Sequence, residues 1–81
     1  MNLSEEWRDI KYREVFDQET TGLIRRRQFD PGCKVEDLEA ILRNLYIMDG
    51  ANLDAGALQC TIVAATIAAY EEFIANWRKE S

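Results

Sequence analysis

The sequence predicts an all-α fold: a small bundle of three main helices plus a short additional helix, built around a long central C-terminal helix. Three observations carry this reading. Apolar residues recur at three- and four-residue spacing, most clearly in Val35, Leu38, Ile41, Leu42, Leu45 and Tyr46. The punctuation at Gly22, at Asp30-Pro31-Gly32 and between Gly50 and Gly56 cuts the chain into helix-sized pieces. The last third of the chain is apolar and alanine-rich over a width too great for an ordinary surface helix. At 81 residues the chain supports one domain, 1–81, whose stability is marginal without dense packing or association.

The first segment is expected from about Glu5 to Glu19. Ser4 suits an N-cap, Glu5 and Glu6 complement the helix dipole, and Asp9 and Arg13 stand at i,i+4 spacing. Its apolar residues form two patches: Leu3, Trp7 and Ile10 on one side, Tyr12, Val15 and Phe16 on the other. Two patches imply two contact surfaces, one of them belonging to another chain. The short additional helix is expected over Thr21–Phe29, stopped by Asp30-Pro31 because proline disfavours αR in the residue before it.

The next helix is expected over Val35–Asp49. Cys33 takes the capping position opposite Glu36, Glu39 precedes Arg43 by four, and Gly50 serves as the C′ residue. The last helix runs from Ala55 to about Arg78, with Asp54 as N-cap, a Leu53–Leu58 staple, and Arg78 and Lys79 in the closing turn. Its bulky side, from Leu58 through Tyr70 to Trp77, packs on the other segments. Its small side, with Ala64 and Ala68, admits the close approach of another helix. The apolar stretch ALQCTIVAATIAAY is 14 residues long, short for a membrane span and suited to a buried helix.

Composition excludes several chemistries. The chain has no histidine, which removes Ser-His-Asp and Cys-His triads and histidine-ligated metal. Cys33 and Cys60 have no CxxC spacing, and the start MNLSEEWRD does not resemble a signal peptide, so two reduced thiols in a cytoplasmic protein are expected. Of the two, Cys33 stands at a helix N-terminus beside Lys34, where a thiol could be activated. The pairs Glu36/Glu39 and Glu71/Glu72 lack the histidine of carboxylate metal bundles and read as solvated surface. The loop DGANLDAG fails the EF-hand pattern at its third and fifth positions, and no phosphate-binding loop is present. No cofactor is expected, and nothing assembles an enzyme's nucleophile, base and oxyanion site.

Arg25, Arg26 and Arg27 stand out in a chain with 15 acids, 10 bases and a net charge of −5. The leading reading pairs them with the protein's own acidic helices. The next makes them a partner- or anion-binding site, since adjacent guanidiniums clamp carboxylate or phosphate. The third is a DNA-binding regulator of the ribbon-helix-helix type, with Leu23–Phe29 as the strand, which the acidic net charge disfavours. The functional expectation is a small soluble protein–protein interaction or structural module that self-associates as a homodimer or takes a protein partner, not nucleic acid or membrane. Trp7, Ile10, Ala64, Ala68 and Trp77 are the expected dimer interface.

Overall fold

A computed structural model describes residues 3–51 and 56–80, with side chains for 6–50, 56 and 58–80. It contains three helices: α1 (Leu3–Phe29), α2 (Val35–Ala51) and α3 (Ala57–Glu80). The all-α expectation holds. The short additional helix does not exist as a separate element, because α1 runs unbroken through Thr20, Thr21 and Gly22. Glycine inside a helix costs about 1 kcal/mol, a penalty that burial of one large side chain outweighs. Val15 and Leu23, on either side of Gly22, are both buried. None of the described glycines adopts positive φ, so Gly22 is an ordinary helical residue.

The stop after α1 is local chemistry. Asp30 N–H donates to the Arg26 carbonyl at 2.9 Å, the last bond of helical type. Pro31 then bars a further helical turn. Asp30 Oδ1 accepts from Gly32 N–H at 3.0 Å, and the Asp30 carbonyl accepts from Cys33 N–H at 3.0 Å. One aspartate thus closes α1 and folds the turn.

The cap of α2 is shifted by one residue from its expected place. Lys34 N–H donates to Asp37 Oδ2 at 3.1 Å, and Asp37 N–H donates to the Lys34 carbonyl at 3.0 Å. Lys34 is therefore the N-cap and Asp37 the N3 carboxylate of the box. Cys33 is freed from that duty and lies buried with Leu23, Leu38 and Ile74. Gly50 is not a C′ residue either, since α2 continues to Ala51. The expected Asp54 cap and Leu53–Leu58 staple fall outside the described residues. At the start of α3, Cys60 N–H donates to the Gly56 carbonyl at 3.1 Å.

α3 packs along both α1 and α2, while α1 and α2 come together only in the core beside their connecting turn, where Leu23 and Leu38 join Cys33 and Ile74. Tyr46 meets Glu71 and Glu39 meets Arg78, so α2 is antiparallel to α3. Arg27, near the end of α1, meets Glu80, at the end of α3, so those two run parallel. Ala65 and Ala69, one turn apart on α3, have no exposed surface. Ala69, on the bulky side of α3, shares a groove with Thr20 and Ile24 of α1, whereas on the small side Ala64 is exposed and Ala68 half-buried. The main core lies where the turn, the end of α1, the start of α2 and the end of α3 meet, with Leu38 1% exposed.

Candidate interaction surface

Consecutive residues on a helix point about 100° apart, so three adjacent arginines cannot converge on one ligand. The structure separates them accordingly. Arg27 turns onto α3, where its guanidinium lies 4.1 Å from the centroid of the Trp77 ring and 2.7 Å from Glu80 Oε2. Trp77 is held in turn by the edge of Phe73, with ring centroids 5.9 Å apart at 89°. Arg25 and Arg26 are exposed, and neither has an acidic partner within 4.0 Å among the described residues. The stretch is helical throughout, so it presents no strand of the kind a ribbon-helix-helix reader inserts into DNA.

Charge also organises the α2–α3 seam. Glu39 binds Arg78 of α3 rather than Arg43 on its own helix. Tyr46 Oη donates to Glu71 Oε2 at 2.8 Å, and this hydrogen bond holds the Tyr46 phenol above its ordinary pKa. Tyr70 is raised as well, first by burial and then by Glu19, with Arg26 pulling the other way. These groups fasten helices together, and no nucleophile is gathered among them. Cys33 and Cys60 are not joined in a disulfide: Cys33 lies inside the core and Cys60 on the exposed side of α3. Among the described residues no three metal-ligating side chains come together.

The apolar surface is more informative. Trp7, Ile10 and Tyr12 are exposed on the first turns of α1, with Ile10 67% exposed. Ile24 and Phe29 are exposed at its other end, Tyr46, Ile47 and Met48 at the end of α2, and Leu58 at the start of α3. Of the expected interface, Trp7, Ile10 and Ala64 are exposed and Ala68 is half-buried, all open to a partner in some degree. Trp77 is half-buried and engaged within the fold by Arg27 and Phe73. Ile47 and Met48 escaped sequence reasoning although a signal was there for Ile47, which follows Tyr46 directly and falls off the Val35–Tyr46 stripe, while Met48 lies at the edge of that stripe near Ile41. The Arg27–Trp77–Glu80 cluster left no such signal, because its members lie far apart in the chain.

Two measures of the whole molecule agree with this surface. The accessible area is 5866 Å², whereas monomeric proteins of this mass expose about 5,000 Å². The radius of gyration is 14.0 Å, against about 12 Å for a compact domain of this length. α3 passes by length and composition for a membrane-crossing helix over Leu58–Glu80, at mean hydropathy 1.3, and only 22% of that apolar window is buried. The full helix is thus longer than its 14-residue apolar stretch. It also carries Glu71 and Glu72, and the Glu71 carboxylate is tied to Tyr46. No family model, curated protein or solved structure matches the chain, so its own surface must carry the functional reading.

Proposed function

We propose that this protein is a small cytoplasmic protein–protein interaction module that works as a homodimer and has no catalytic activity of its own. The observation that carries the reading is the exposed area. The excess over a compact monomer is about 850 Å², close to one partner's share of a standard protein interface, about 800 Å². Apolar residues as large as Trp7, Ile10, Phe29 and Ile47 contribute to it. A module of this kind needs a rigid frame that holds a face open, and α3 supplies one by fastening α1 on one side and α2 on the other. Two cysteines outside any disulfide fit a reducing compartment. The two arginine–carboxylate pairs, Arg27–Glu80 and Arg78–Glu39, lie between helices, where they support the frame.

The test is the mass in solution, by light scattering and sedimentation equilibrium from micromolar to millimolar protein. The expected result is a species of twice the chain mass of 9.4 kDa that dissociates on dilution. A 9.4 kDa species at every concentration would overturn the homodimer.

A further inference from the structure

We infer that the dimer forms by antiparallel pairing of the first turns of α1 with those of a second copy, with Ile10 on the two-fold axis and Glu6 of each copy meeting Arg13 of the other. The inference rests on the self-association reading and assigns it a surface. At 3.6 residues per turn, Glu6, Ile10, Arg13 and Asp17 lie along one strip of α1 about 60° wide, with Trp7 on its flank. All five are exposed. Ile10 is the most exposed apolar side chain of this half of the helix. Beside it the surface is hollowed in two adjoining places, of about 490 and 220 Å³, both lined by Asp9 and Arg13. Among the described residues, those lining these hollows all belong to α1, which leaves room for a second copy to supply a facing wall.

The charges identify what supplies that wall. Glu6 and Arg13 have no ion-pair partner within 4.0 Å among the described residues, and Arg13 makes no pair with Asp9 despite the i,i+4 spacing. Glu6 precedes Ile10 by four residues and Arg13 follows it by three. A copy reversed about Ile10 therefore sets each glutamate opposite an arginine, to within one residue's rise of about 1.5 Å. The same strip turned parallel sets acid against acid and base against base. A self-complementary order of acid, apolar residue and base is what an isologous two-fold contact requires, because the same patch must serve on both sides.

The test uses charge reversal and a cross-link in the full chain. Glu6→Arg and Arg13→Glu each place like charges in contact, and each is expected to raise the dimer dissociation constant about tenfold or more. The double variant Glu6→Arg/Arg13→Glu restores opposite charges across the axis and is expected to recover the wild-type constant. With Cys60→Ser as background, Ile10→Cys is expected to form an inter-chain disulfide under mild oxidation, and Gln18→Cys is not. Unchanged circular dichroism and thermal unfolding at low protein concentration show that the single variants still fold. A wild-type dimer indifferent to both reversals, or without the Ile10→Cys cross-link, would overturn this surface and leave the interaction module standing. A wild-type monomer would overturn both.

Discussion

The two halves of α1 are one continuous helix with similar apolar content, and they have opposite fates. From Val15 onward the helix is held: Val15 and Leu23 are buried, and Arg27 is fixed between Trp77 and Glu80. From Glu6 to Glu14 only Lys11 is partly covered, and Trp7, Ile10 and Tyr12 face solvent. Helical propensity and apolarity do not separate these halves. What separates them is the neighbour. The second half meets α3 beside the buried Ala69, with Phe73 and Trp77 lining the same groove, and the first half is left exposed. A helix that is apolar on two sides is half a description of a fold and half a description of an assembly.

The sharpest way to break this comparison is a pair of truncations at very dilute protein. Leu23→Ala, in the held half, is expected to lower unfolding free energy by about 2–4 kcal/mol, because a buried leucine leaves a cavity. Ile10→Ala, in the open half, is expected to change it by less than about 0.5 kcal/mol, as exposed positions do. Urea denaturation measures both, and equal losses would erase the distinction between the halves. A smaller effect separates neighbouring arginines. Arg27→Ala loses a ring contact and an ion pair together worth about 1–2 kcal/mol, and Arg25→Ala loses nothing measurable. Thermal unfolding of the two variants side by side tests this, and equal midpoints would show that the Trp77 contact does not hold in solution. The smallest effect lies at the joint between the halves. Gly22→Ala is expected to stabilise by about 0.5–1 kcal/mol, since a Cβ there meets no atom within 4 Å and the backbone is already helical. Destabilisation by calorimetry would mean that the helix bends at Gly22 in solution.

The same contrast explains what was legible in the sequence. The α2 stripe and the Asp30-Pro31-Gly32 stop are short-range signals, and both elements formed where they were read. The break expected at Gly22 was a short-range signal too, but it was outweighed by Val15 and Leu23 packing on a helix far along the chain. The cap of α2 moved from Cys33 to Lys34 for a related reason: a thiol gains more from the core beside Leu38 than from a weak hydrogen bond to a helix end. The exposed side of α1 was legible because Trp7 and Ile10 diverge from Val15 and Phe16 at 100° per residue, and no tertiary knowledge is needed to see that. The role of Arg27 was not, because Trp77 and Glu80 reach it only through the parallel alignment of α1 and α3.

That alignment also sets the order in which the protein can be made. α1 and α2 precede α3 in the chain and are joined by a tight turn, yet α3 supplies the surface along which both pack. The element that unites them is synthesised after both. The hairpin has little reason to persist until α3 arrives, and the contacts that then form join residues 25 and 39 positions apart between α2 and α3 and about fifty apart between α1 and α3. Assembly of the whole therefore waits on α3, while Trp7 and Ile10 stay in solvent even after it docks.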